Sequence, residues 1–185
     1  DYSSITAAVY AIGGWADGYS NAVPRLIEKL KCPRQGLIGP WAHKYPHIAT
    51  PRPDADFLND ALRWWDHWLK GRDTGVMDEP MMQIWMQDSI RPSSVQPERP
   101  GRWIAFPNWP HPAVKPTDWH LGDGSLAPDQ QRPTLRVIDS PLETGFTFGE
   151  WCPYSGNGEL PDDQRADDGR SVVFETAPLE SAVEI

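Results

Sequence analysis

Two cysteines in 185 residues, Cys32 and Cys152, far apart, are too few for a disulfide framework and do not have zinc-ligand spacing. They fit a cytosolic protein with free thiols. No apolar run approaches the ~20 residues of a membrane span, so no membrane insertion is expected. Basic charge is also short: 17 Lys and Arg stand against 26 Asp and Glu, a net charge of −9. A surface of that sign repels phosphate backbones and excludes nucleic acid as a partner. No two of the five histidines have helical metal-ligand spacing with an acid nearby, so no zinc site is expected. The N-terminus lacks a secretory pattern, which leaves open what a longer precursor carries. What the chain has in quantity is Trp (10), Pro (20) and Gly (15), an aromatic and turn-rich texture that favours β-structure.

Residues 5–12 form a continuous apolar run that ends at Gly13-Gly14, the pattern of a strand buried on both faces of a parallel sheet. Residues 21–31 then suit a helix, with Val23, Leu26, Ile27 and Leu30 at helical spacing, Asn21 as N-cap, Pro24 in the first turn and Pro33 as the stop. A second short strand over 35–39 completes a βαβ unit. The strongest helix spans 55–70, with Phe57, Leu58, Ala61, Leu62, Trp65, Trp68 and Leu69 as one apolar stripe and Gly71 ending it. From Met81 onward short alternating runs, such as 82–86 and 134–138, are split by Pro and Gly clusters, as in a β-sandwich or jelly roll. Residues 172–174 and 182–185 read as two more strands, and 155–170 as an acidic surface loop. A boundary is placed between Gly71 and Pro80.

Each of the two early strands runs into a loop that carries chemistry. The first, Gly13-Gly-Trp-Ala-Asp-Gly-Tyr19, offers a carboxylate, Asp17. The second, Gly39-Pro-Trp-Ala-His43, offers an imidazole. An acid beyond one strand and a histidine beyond the next match the last two members of a nucleophile–acid–histidine triad, in that chain order. The acid holds one ring nitrogen, and the other is free to take a proton from a nucleophile. A turn-forming Asp and a surface His are the commoner readings of each residue alone; the pairing across one βαβ unit favours the catalytic one. The chain contains no Gly-x-Ser-x-Gly, so the serine is expected upstream of residue 1.

Other candidates weigh less. His47, His67, His111 and His120 have no comparable context, and His67 reads as a structural residue of the long helix. Asp162, Asp163, Asp167 and Asp168 lack the spacing of a calcium loop and read as a solvated segment salted with Arg165 and Arg170. Trp103, Trp109 and Trp119 could stack on sugars, but packing between sheets is the default for tryptophans between Pro-rich turns.

The two loops resemble the acid and histidine loops of the cocaine esterase / X-Pro dipeptidyl-peptidase-like hydrolases, the CocE/NonD family. Residues 64–71, running on to Asp73-Thr-Gly-Val-Met77, resemble that family's exit helix. Trp103, Trp109-Pro110 and Leu121-Gly-Asp-Gly-Ser-Leu126 resemble the opening of its C-terminal domain. Leu160-Pro-Asp-Asp-Gln-Arg165 with Asp167-Asp-Gly-Arg170 is similar to a later loop. The resemblance implies an α/β-hydrolase core with a helical cap and a jelly-roll domain. Of these the chain would hold the C-terminal part of the core (1–75) and an incomplete jelly-roll β-sandwich (80–185). It implies Asp17 and His43 as triad acid and base, Tyr19 in the acyl pocket, and Trp151 and Cys152 on a jelly-roll loop, 149–154, that closes over the site. The substrate would be a small-molecule ester or amide, with no cofactor. The residues after Asp17 hold no second acid, which argues against α-amino esters, and nothing in this stretch would grip a free peptide N-terminus.

The resulting expectation is a fragment of a serine acyl hydrolase, inactive by itself. Its unpaired sheet edges should need the N-terminal part of the same polypeptide, or a second copy, for stability. The rival is a non-catalytic β-sandwich binding module, carbohydrate-binding for instance, which would have no use for the βαβ unit.

Overall fold

In a computed structural model of the chain, which describes residues 2–154 and 158–183, the first βαβ unit is present. Strand β1 (Val9–Gly14) leads into helix α1 (Ala22–Lys29), which returns to strand β2 (Arg34–Gly39), parallel to β1 with Val9 opposite Arg34 and Gly14 opposite Gly39. The first strand begins four residues later than the apolar run predicts, because residues 5–8 lie before the register with β2 starts. Asn21 occupies the N-cap position without a side-chain cap; the Ala22 N–H instead meets the Tyr19 carbonyl at 2.8 Å. The chain turns extended at Leu30, ahead of Pro33, and the Arg34 guanidinium donates to the Ile27 carbonyl at 2.6 Å, satisfying a group the helix end would orphan.

Helix α2 (Phe57–Lys70) ends at Gly71 in the left-handed conformation, with the Gly71 N–H on the His67 carbonyl. It seats differently from the predicted stripe. Trp64 is its buried residue and lies against Tyr10, ring centroids 5.4 Å apart, whereas Leu58, Leu62, Trp65 and Leu69 are exposed. The apolar arc is wider than the surface available to cover it, and Trp64, one residue off the expected stripe, faces the sheet. His67 is half-buried, with Nδ1 against the Arg72 carbonyl, the structural part expected of it. Burial pushes the Tyr10 phenol pKa well up, and the Asp60 and Glu79 carboxylates add to this against Arg63; Asp60 is itself raised, first by burial and then by Glu79.

Strand β3 (Met82–Gln87) pairs parallel to β2, and β4 (Gly101–Phe106) pairs antiparallel to β3, giving one sheet in the order β1-β2-β3-β4. The segment 71–80 therefore lies inside one compact unit, which comprises residues 1–114 and 149–162. Its core is Ala11, Val23, Ile27, Ile38, Met82 and Ile84. Gln35, buried in β2, donates to the Val76 carbonyl at 2.5 Å, which gives the buried amide a partner. Trp103 packs on Trp85 and Trp41, and Trp109 donates to the Pro24 carbonyl, consistent with packing over sugar stacking.

The second compact unit comprises 115–148 and 163–185. Among its described residues the regular strands are β5 (His120–Leu121) and β6 (Leu126–Ala127), an antiparallel pair that the bridge between Ser125 and Glu175 extends. The alternating run 134–138 is not a strand: Leu135, Val137 and Ile138 are at least 79% exposed. Alternation yields a strand only where a neighbour supplies backbone partners and an apolar face, and among the described residues none does. Residues 172–174 are likewise irregular, Trp119 is exposed, and of the expected strand 182–185 the last two residues lie outside the described ones. The acidic segment is partly structural. A short helix, α3 (Arg165–Asp168), turns Asp167 inward to accept the Thr147 hydroxyl and, at 3.2 Å, its N–H, while Asp163 pairs with Arg165.

Two outcomes follow. Ile27→Ala should lower unfolding free energy by about 2–5 kcal/mol, the range for an aliphatic side chain removed from a closed core, seen as a shifted urea midpoint at constant m-value. The Thr147 hydroxyl, followed by the Gly145 N–H, holds the Asp167 carboxyl below the usual range. A depressed carboxyl stabilises the fold above its unfolded pKa and loses that contribution as pH falls through the folded one. Melting curves of the protein and its Asp167→Asn variant should thus differ most near neutral pH and converge as pH drops below about 4.

Candidate active site

At the carboxyl ends of β1 and β2 the two loops are tied together through Trp41. Its indole is 1% exposed and donates to the Pro53 carbonyl at 2.7 Å. Space for it comes from two glycines: a Cβ on Gly39 would stand 2.3 Å from the indole ring, and one on Gly14 would stand 1.9 Å from the Trp41 carbonyl oxygen. That carbonyl accepts the Ala16 N–H at 3.1 Å, and the Gly39 carbonyl accepts the Trp15 N–H at 2.9 Å. The acid loop is thus laid against the histidine loop by backbone bonds, the nearer of them one residue from Asp17 and two from His43.

The result is contact. His43 Nδ1 lies 2.9 Å from Asp17 Oδ2. A carboxylate only accepts, so Nδ1 carries the proton and Nε2 is left as the basic nitrogen. The other Asp17 oxygen, Oδ1, accepts the Tyr19 N–H at 2.8 Å and faces the Cys152 thiol at 3.8 Å. The Asp17 side chain is 13% exposed and that of His43 39%, a held acid beneath an accessible base.

Residues 149–162 belong to the same compact unit as Asp17 and His43. The His43 N–H donates to the Pro153 carbonyl at 2.7 Å. Trp151 meets Tyr19 edge-on with ring centroids 5.4 Å apart, Tyr19 lies 5.8 Å from the His43 ring, and Tyr154 meets that ring edge-on at 5.3 Å. All five residues singled out in the sequence, Asp17, His43, Tyr19, Trp151 and Cys152, therefore converge. Tyr154 was missed as a site residue; its only signal was its place at the end of the Trp-Cys-Pro run. Clefts lined by Arg52, Trp85 and Arg99, and by Tyr10, Asp54 and Asp60, do not include this group. The arrangement can do one thing plainly: take a proton at Nε2 while Asp17 stabilises the imidazolium.

Comparison with known proteins places the chain in a family. Residues 1–45 match the family model of X-Pro dipeptidyl-peptidase (S15 family), and 74–185, more than half of the chain, match that of the X-Pro dipeptidyl-peptidase C-terminal non-catalytic domain. The chain belongs to the X-Pro dipeptidyl-peptidase and cocaine-esterase-like family. It is 29% identical over its whole length to proteins named as serine esterases in Mycobacterium bovis and Mycobacterium tuberculosis, and spans 30% of their length. Over 42% of the chain it is 29% identical to a protein named as an Xaa-Pro dipeptidyl-peptidase in Bacillus cereus, covering 11% of that protein. Among the described residues no helix is long and apolar enough to cross a membrane.

Gly14→Ala should push the Trp41 carbonyl away and part the two loops. A downfield His43 Nδ1 proton resonance is expected in the unaltered protein by proton NMR and should disappear in this variant, as it should in Asp17→Asn.

Proposed function

We propose that Asp17 and His43 are the acid and base of a Ser-His-Asp acyl hydrolase, its serine and oxyanion hole supplied by a part of the polypeptide outside this chain. The observation that carries the reading is the 2.9 Å Nδ1–Oδ2 bond, with Asp17 pinned on its other oxygen by the Tyr19 N–H. In such a reaction His43 Nε2 takes the serine proton as Oγ attacks the substrate carbonyl, and then returns it to the leaving group. Asp17 keeps the ring in the tautomer that makes Nε2 basic and balances the imidazolium charge. Tyr19 and Tyr154 flank the ring, Trp151 packs on Tyr19, and the three give an acyl group an apolar wall.

We read residues 1–75 as the end of an α/β-hydrolase core and 80–185 as the opening of a jelly-roll β-sandwich, in keeping with where the two family models fall. β1 lies at the end of the strand order, so one side of it is open to pair with the remainder of the core or with a second copy. The substrate is a small-molecule ester or amide. Esters are favoured over amino-terminal dipeptides, because no carboxylate accompanies Asp17 in the acid loop to meet a free ammonium.

In the full-length protein, Asp17→Asn and His43→Ala should each lower kcat for a simple aryl ester by about 10⁴-fold with the fold retained, the scale set when an acid no longer holds its histidine. An aryl ester should be turned over faster than a Xaa-Pro anilide; unchanged ester kcat in both variants would place the chemistry elsewhere.

A further inference from the structure

We propose that Asp17, His43 and Cys152 form a binding site for a divalent cation of the zinc type, and that its occupation switches the acid–base pair off. The switching half rests on the function proposed above; the binding half rests on geometry alone. One carboxylate oxygen, one ring nitrogen and the thiol sulfur of these residues lie within 4.8 Å of one another. Around a tetrahedral zinc, with bonds of about 2.0–2.3 Å, such donors stand roughly 3.3–3.8 Å apart, so side-chain rotation alone closes the set and leaves a fourth position for water. Zinc accepts this mixture of S, N and O donors, which a harder ion such as Mg²⁺ does not.

The chain spacing hides the site. Cys152 is 135 residues from Asp17, so an expectation of no metal, drawn from helical histidine spacing, could not detect it. The thiol is nevertheless held in place. Cys152 has φ +58°, an unusual angle for a side-chain-bearing residue, and the next residue, Pro153, accepts the His43 N–H. On the other side the loop packs on Gly18, where a Cβ would stand 2.8 Å from the Trp151 ring and 3.1 Å from Cys152 Cβ. Cys152 is a free, half-buried thiol and is open to an incoming ion.

Binding balances simply. The thiol proton leaves to solvent and the His43 proton moves from Nδ1 to Nε2, so that Nδ1 ligates. The dication then faces two anions, the Cys152 thiolate and the Asp17 carboxylate. Nε2, now protonated, cannot accept a proton from a nucleophile, and Asp17 no longer holds the ring. Metal binding and proton transfer are mutually exclusive at this pair.

The test is a Co²⁺ titration of the reduced protein, read by thiolate-to-cobalt charge-transfer absorption, with Zn²⁺ added to displace it. A saturable band is expected, lost in Cys152→Ser and kept in Cys32→Ser. Zn²⁺ should also slow alkylation of Cys152 by iodoacetamide in the unaltered protein, read by mass spectrometry, a measurement that needs no variant. No saturable band, a band that survives Cys152→Ser, or alkylation indifferent to zinc would overturn the site. In the full-length protein, stoichiometric Zn²⁺ should suppress ester hydrolysis and a chelator restore it. Each Cys152→Ser rate is compared with that variant's own zinc-free rate, and at least about tenfold more zinc should be needed, the scale on which even a metal site's outer partners act. Cobalt binding with hydrolysis untouched by zinc would overturn the switch. Cobalt binding in a protein that hydrolyses no ester without zinc would overturn the proposed function while the site stands.

Discussion

The burial of one indole organises this end of the sheet. Trp41 fills a space that exists because Gly14 and Gly39, opposite each other in the parallel register, have no side chains. From that position it hydrogen-bonds Pro53, offers its carbonyl to Ala16 and delivers His43 two residues on. A side chain at either glycine would collide with backbone or ring atoms that have no room to yield. The Asp17–His43 contact is therefore a consequence of packing as much as of electrostatics: the rigid interior fixes the loops, and the loops fix the ring.

The site combines a rigid half and an adaptable one. Asp17 is held on both oxygens and largely shielded, whereas His43 is bounded by Tyr19 and Tyr154, with Trp151 behind Tyr19, all three with substantial exposure. Backbone ties carry the acid–base geometry, and exposed aromatic faces carry what surrounds it. The aromatic surround can therefore vary without moving the Asp17–His43 pair.

Much of the first unit was legible in the sequence, because each signal there was local. The apolar run before Gly13, the helical spacing of Val23, Ile27 and Leu30, and the αL stop at Gly71 depend on neighbours within a few residues. Asp17 and His43 could be paired for the same reason, each being a few residues beyond a recognisable strand. What was not legible depends on distant partners. Trp64, and not the expected stripe, seats α2, since which arc of an apolar helix is covered is decided by what lies beneath it. The alternation at 134–138 reads as a strand, but pairing is a property of two segments. Cys152 reads as an isolated thiol until folding places it against a residue near the other end of the chain. The resemblance of its loop to a family pattern, and no periodicity, brought Trp151 and Cys152 into the candidate site.

The return of residues 149–162 to the first compact unit also orders events in time. A nascent chain has Asp17 and His43 available, 26 positions apart, long before the segment bearing Trp151 and Cys152 has been made. Local loops close early and long ones late, since closure entropy grows with separation. The Asp17–His43 pair can thus be assembled while its aromatic surround is still unsynthesised, and the later segment around Trp151 walls it in.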